Sequence, residues 1–236
     1  MKNKSKQFNN VFFYIFSISL LYFLTFFTFY LVCFFDKNNL YNLIIKHETY
    51  KNLPFTVSGI DLKTLCSELM EYISGKLNFL ETAIDINGTT TEFYSLRSKI
   101  HMADVRNLIL TFLKVAYVSI AICIISLFKV INIDDAITKL KKAFIKTLVF
   151  VLILFSGLII FASTNFDLFF VKFHQTLFIN DLWLLDPRED YIICLLPEKI
   201  FMIYGIRIAV AIVILFVLCF FLLQILSKIQ PRQEAK

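Results

Sequence analysis

The sequence predicts a membrane all-α bundle of four transmembrane helices carrying a small α+β extracellular cap. Composition is the first observation behind this. Hydrophobic residues make up 58% of the 236-residue chain, 28 of them Phe, and mean hydropathy is +0.72. Soluble domains hold roughly 45–50% apolar residues. The second observation is four apolar runs of membrane length, since roughly 20 helical residues cross the hydrocarbon core. The third is the distribution of Lys and Arg, which alternates between the connections.

The elements follow in order. The first span covers about residues 1–35. Lys2, Lys4 and Lys6 precede an apolar run from Val11 to Phe35, longer than the roughly 7–15 residues of a cleaved signal's apolar core. An uncleaved span is therefore expected. Residues 36–107 form the cap. Leu62, Leu65, Leu69, Tyr72 and Ile73 recur at helical spacing, with Asp61 as N-cap and Gly75 near the stop. Phe79–Ile86 and Thr89–Tyr94 flank Asn87-Gly88, a two-residue hairpin signal. Asn87-Gly88-Thr89 also fits a glycosylation sequon, which the turn accounts for without modification. Ser95 caps a helix leading through His101 into the second span, residues 108–131, with Lys114 inside it.

A cytoplasmic loop at 132–143 precedes the third span at 144–162, and an outer loop occupies 163–199. Asp186-Pro187-Arg188-Glu189-Asp190 reads as a helix start, with Asp as cap and Pro at the first position. The fourth span and tail cover 200–236, with Arg207 inside the apolar run. Helices are the form expected of all four spans, because lipid cannot satisfy exposed backbone groups.

Charge sets the orientation. Lys129, Lys139, Lys141, Lys142 and Lys146 cluster at the second-to-third connection, and Lys228, Arg232 and Lys236 at the C-terminus. The third-to-fourth connection instead holds six acids: Asp167, Asp181, Asp186, Glu189, Asp190 and Glu198. Both termini are thus expected in the cytoplasm of a multi-pass protein in a plasma membrane. The net charge of +6 reports this asymmetry and contact with anionic lipid, not a nucleic-acid partner.

Chemistry concentrates in two blocks on the outer side. His101 opens Ile100-His101-Met102-Ala103-Asp104-Val105-Arg106. His174 opens Phe173-His174 through Asn180-Asp181-Leu182-Trp183 and Asp186-Pro187, which holds the single Trp. The two histidines meet the membrane from different spans and make a candidate acid/base pair; His47, early in the cap, has no such placement. Phe173, Phe178, Tyr191, Phe201 and Tyr204 form either an interfacial belt or a pocket lining. Lys114 and Arg207 lie on the order of 10 Å inside their spans and either snorkel or face a pocket. Cys33, Cys123 and Cys219 fall in spans, and a Cys66–Cys194 disulfide is left open. His101, Asp104 and His174 lack the further ligand a metal site needs, so no metal or cofactor is expected.

These two blocks, with Asp190 and Leu196-Pro197-Glu198, resemble the bacterial lipoprotein intramolecular transacylases (the Lit family), small four-span membrane proteins. One departure stands just upstream of His101. The family pattern has a carboxylate there, and this chain has Ser98-Lys99, which leaves open the group that orients His101. The resemblance implies transfer of the sn-2 acyl chain of a diacylglyceryl lipoprotein to the α-amino group of its own N-terminal Cys. His101 and His174 would be catalytic. Asp104, Asp181 or Asp186 would orient the imidazoles, and Arg207 or Asn180 would donate to the oxyanion. Arg106 and Trp183 would position substrate. Partners are then the lipoprotein and membrane lipids, and the protein is expected to be a monomer. The reading set against this one is a non-catalytic membrane sensor or assembly protein, binding a partner through its outer cap.

Overall fold

The computed structural model describes residues 2–229 except Asn87, with side chains from residue 10 onward apart from Ser227 and Ile229. The elements are α1 (Lys2–Phe34), α2 (Asn39–His47), a 3₁₀ turn (Thr49–Asn52), α3 (Gly59–Ile73), β1 (Ala83–Ile86), β2 (Thr89–Glu92), α4 (Leu96–Val130), α5 (Ala136–Thr164), α6 (Phe166–Leu177), α7 (Ile192–Leu195) and α8 (Glu198–Ile229). Four helices are long and apolar enough to cross a membrane: Asn10–Phe34, Leu96–Val130, Ala136–Thr164 and Glu198–Leu226. The fold class is the one expected.

The chain divides into two compact units. One holds the described residues up to Thr28, Lys114–Phe169 and those from Val210. Its apolar contacts gather in two clusters, Phe13 with Val130, Ala136 and Ala143, and Leu21 with Phe144, Leu148 and Phe216. The cytoplasmic loop expected at 132–143 shrinks to the residues before Ala136. Lys139, Lys141, Lys142 and Lys146 are already inside α5, because a helix satisfies its own backbone and continues past the apolar boundary.

The second unit, Phe29–Leu113 with Phe170–Ala209, contains every side chain of the candidate site. Its core joins Leu40, Leu43 and Ile44 of α2 to Leu62, Leu65, Cys66 and Leu69 of α3, Ile84 of β1, Phe93, Tyr94, Ile192 and Ile200. The antiparallel pair β1–β2 runs from Ala83↔Glu92 to Ile86↔Thr89, shorter than expected. Gly88 takes the positive φ its turn requires (85°) and donates to Asp85 Oδ1 at 2.6 Å. Asn87, on which the hairpin and sequon readings rest, lies outside the described residues, as do Arg232 and Lys236.

The cap of α3 is corrected by one turn. Ser58, not Asp61, is the N-cap: its Oγ accepts from Asp61 N at 3.0 Å and donates to Asp61 Oδ2 at 2.8 Å. Asp61 stands at the third helical position, with its amide and its carboxylate both meeting the cap hydroxyl. At the far end Gly75 N bonds Tyr72 O (3.0 Å) and Lys76 N bonds Glu71 O (2.8 Å), closing a Schellman motif with Gly75 at φ 86°. A Cβ here would stand 2.9 Å from Leu110 Cδ2. Gly75→Ala is expected to destabilise by about 1–2 kcal/mol, read as a lower unfolding midpoint in detergent; an unchanged midpoint would contradict this.

Candidate active site

His101 is set by the start of α4. Ser95 caps the helix as expected, its Oγ accepting from Ser98 N at 3.0 Å and its carbonyl from Lys99 N at 3.0 Å. The hydroxyls of Ser95 and Ser98 both donate to Asp190 Oδ1, the second at 3.1 Å, and Asp186 N donates to Asp190 Oδ2 at 2.9 Å. Asp190 is 2% exposed. A buried carboxyl from a distant segment thus grips the turn immediately before His101. It stands where the sequence, with Ser98-Lys99, lacks the carboxylate expected just upstream of His101.

His174 rides on α6, a helix absent from the sequence expectation, which placed its one helix start within 163–199 at Asp186. Asn165 Oδ1 caps it by accepting from Leu168 N at 3.0 Å, and Asp167 lies in its first turn. Phe166, Phe169, Phe170, Phe173, His174 and Leu177 recur on one stripe. The Nδ1 of His174 lies 2.7 Å from Phe170 O, one turn back. A carbonyl only accepts, so Nδ1 carries the proton and Nε2 keeps the lone pair.

The two imidazoles come together. Their centroids lie 5.9 Å apart at 40°, and the residues are 5% and 7% exposed. Phe178 touches both, edge-on to His101 at 5.2 Å and 5.7 Å from His174. Trp183 stacks on His174 at 4.9 Å and 26°, Phe170 lies 4.1 Å from it, and Phe173 meets it edge-on at 5.4 Å. Burial holds His174 below the usual imidazole pKa, against the opposing pull of the Phe170 carbonyl. His101 Nδ1 is buried with no hydrogen-bond partner among the described residues. Two buried rings in an aromatic setting can take up and return a proton between groups a bond or two apart.

The remaining expected residues divide. Asp104 accepts from Asn180 Nδ2 at 2.9 Å, and Asn180 Oδ1 in turn accepts from Leu182 N at 3.1 Å. With Arg97 donating to Asp181 O at 2.6 Å, this fastens the loop carrying Phe178 and Trp183 to α4. No hydrogen bond joins Asp104, Asp181 or Asp186 to an imidazole among the described residues. The orienting acceptor on His174 is a backbone carbonyl. Asp186 instead closes a turn, accepting from Arg188 N at 2.9 Å and from its guanidinium at 2.6 Å, which drives its carboxyl down to about 2. The helix expected to begin there begins at Ile192, because Asp190 is turned inward to Ser95 and Ser98.

Arg106 places its guanidinium 4.9 Å over the Tyr72 ring, and Arg207 donates to Asn39 Oδ1 at 2.8 Å; Lys114 is exposed. Tyr191 packs edge-on to Phe55 at 5.0 Å, and Tyr204 packs on the same core. Neither has a ring contact with the histidines. Phe170, Asp190, Ser98 and Arg97 take roles the sequence reading did not assign. Cys66 and Cys194 are buried free thiols, so the disulfide left open is not formed. Among the described residues no three His, Cys, Asp or Glu are grouped to hold a metal ion.

Four membrane-length helices and a small two-stranded sheet define a multi-pass membrane protein, and its family model makes it an acyltransferase. The family model of the lipoprotein intramolecular transacylase Lit matches residues 14–201, and the chain belongs to that family. The fold is similar to that of the membrane-integral lipoprotein intramolecular transacylase Lit from Bacillus cereus, 24% identical with a TM-score of 0.73 over 94% of this chain and 97% of that one. Two histidine-substituted forms of the Bacillus cereus protein also match. A His-to-Arg form has a TM-score of 0.72 at 23% identity over 96% and 95% of the two chains. A His-to-Ala form has a TM-score of 0.72 at 23% over 96% and 96%. No curated protein matches the sequence.

Proposed function

We propose that this chain moves the sn-2 acyl chain of a diacylglyceryl lipoprotein to the α-amino group of the same molecule's N-terminal Cys, using His101 and His174 as its acid/base pair. The observation that carries this reading is the pairing itself: two imidazoles from separate elements buried 5.9 Å apart among aromatic rings. The amine nitrogen attacks the ester carbonyl and its proton passes to Nε2 of His174, the nitrogen left free by the Phe170 bond. The intermediate collapses with cleavage of the acyl C–O bond, and the histidine pair returns one proton to the departing sn-2 oxygen. Atoms balance without water or an acyl-enzyme, so substrate and product have equal mass. An α-amino group titrates near 7.7–8.0, within reach of an imidazole base near neutral pH. Phe170, Phe173, Phe178 and Trp183 keep water from competing for the ester. Holding donor and acceptor together supplies much of the rate, since orientation is worth roughly 7–11 kcal/mol.

The Lys and Arg asymmetry supports both termini in the cytoplasm, with the segment between α1 and α4 as an extracellular cap and the histidines at the outer membrane–water interface. A monomer suffices, because both histidines come from one chain.

Mass spectrometry of the N-terminal peptide of a diacylglyceryl lipoprotein, co-expressed with this chain, tests the reading. The expected product is an N-acyl, single-chain glyceryl form of unchanged total mass. No conversion by folded protein would overturn it.

The pH profile has a definite sign. His174 must be neutral to accept a proton, and burial lowers its pKa. The substrate amine must also be neutral, so one acid limb is expected at its own value of about 7.7–8.0, and His174 is expected to add a second limb below pH 6.5, the ordinary midpoint of His. A second limb centred at or above pH 6.5 would argue against His174 as base.

A further inference from the structure

The third histidine, His47, stands in a basic strip that the acyl-transfer chemistry does not use. Helix α2 and the 3₁₀ turn after it are tethered at both ends. At one end Asn39 accepts from Arg207 at 2.8 Å and donates from Nδ2 to Val32 O at 2.8 Å. At the other, Thr49 Oγ1 donates to Leu195 O at 2.8 Å and Asn52 Nδ2 to Cys194 O at 3.2 Å. With 39 tied to 207 and 49 tied to 195, Lys46 and His47 fall alongside Lys199. The electrostatics agree: His47 is held below the usual imidazole value by burial and then by Lys199, Lys46 and Arg207.

Lys46, Lys199 and Arg207 are exposed, and none forms an ion pair with a carboxylate among the described residues. Of the acids nearby, Glu48 is engaged by Lys51 at 2.8 Å, and Glu198 lies in the first turn of α8. Lys46 and Lys199 repel one another, and an anion between them relieves that. Their setting says which anion. Phe201, Met202 and Ile206 on the same turns of α8 are 44%, 43% and 63% exposed, and Ile45 beside Lys46 is 41% exposed. Helix α8 continues from there as a 29-residue apolar span. Cations at the end of a span, beside exposed apolar side chains, lie at headgroup depth.

We propose that Lys46 and Lys199 form a seat for the phosphate of a net-anionic phospholipid headgroup. The inference stands apart from the acyl-transfer reading, and its test involves no turnover. The full chain, purified in detergent, is titrated with phosphatidylglycerol, phosphatidylcholine or inorganic phosphate, and bound lipid is read by native mass spectrometry and by the unfolding midpoint. Phosphatidylglycerol is expected to bind and stabilise in preference to phosphatidylcholine. Lys46→Gln/Lys199→Gln is expected to weaken that binding roughly 30-fold at low salt, about 1 kcal/mol for each cation removed. Lys63→Gln/Lys76→Gln, exposed lysines elsewhere in the unit, is the control expected to change nothing. Equal binding of phosphatidylcholine, an equal effect of inorganic phosphate, or retained preference in the Lys46/Lys199 variant would each overturn the proposal. Should that variant fail to fold, wild type and Lys46→Arg/Lys199→Arg decide. Both should hold phosphatidylglycerol at low salt and release it as salt rises, and binding insensitive to salt would overturn the seat.

Discussion

His174→Ala and His101→Ala are each expected to lower acyl transfer about 10²–10⁴-fold, the usual worth of a positioned acid or base. The double variant is expected to lose little more than the worse single one. The rings lie 5.9 Å apart and share Phe178 as a wall, so a proton handled by one is useful only while the other is present. Groups that act as a unit behave non-additively. Rates come from the mass-spectrometric conversion of a diacylglyceryl peptide at saturating enzyme. Multiplicative losses would mean that the two act in separate steps. A variant retaining wild-type rate would remove that histidine from the chemistry. Phe170→Leu separates position from chemistry, because the backbone carbonyl that orients His174 survives while one aromatic wall, 4.1 Å away, is lost. A loss smaller than that of His174→Ala is expected; an equal loss would place the ring itself in the reaction.

What the sequence made legible follows the strength of each physical constraint. The spans were readable because a bilayer demands about 20 apolar residues and a helix. The start of α4 was readable because Ser95 leads into a helical run, and a cap is a local signal. Helix α6 was overlooked although its signal was present: Asn165 caps it and Phe166, Phe169, Phe170 and Phe173 keep helical spacing. The segment follows an apolar span without a Pro or Gly break, so its periodicity merged into the run before it. The histidine pair was legible as two residues near two span ends. Its aromatic walls were only half so. Phe173, Phe178 and Trp183 border His174, whereas Tyr191 packs on Phe55, because an interfacial aromatic serves a core as readily as a pocket. Asp186 reads as a helix cap and a candidate partner of the imidazoles, and Asp190 is given no role. Asp186 followed by Pro is the stronger local helix-start signal, but the burial of Asp190 is a tertiary fact that no window of sequence contains.

That buried carboxyl carries the second large effect. Asp190→Leu is expected to cost about 3–5 kcal/mol of stability. Asp190 is 2% exposed and accepts from Ser95 Oγ, Ser98 Oγ and the Asp186 amide. Removing the acceptor strands three donors, of which Ser98 is fully buried and Ser95 and Asp186 half-buried, and each buried stranded donor costs about 1–3 kcal/mol, partly relieved by rotation of the hydroxyls. Asp190→Asn keeps one acceptor oxygen and is expected to cost less, about 1–2 kcal/mol. Thermal unfolding in detergent reads both, and equal midpoints for Asp190→Leu and wild type would remove Asp190 as the anchor of α4. A functional consequence follows from position. Ser98 precedes His101 by less than one turn, so loosening the first turn of α4 releases the ring that must face His174. Asp190→Asn should therefore lower transfer per folded molecule while leaving the pH midpoint where His174 sets it. A shifted midpoint would mean that Asp190 acts on the histidines through charge and not through the helix it holds.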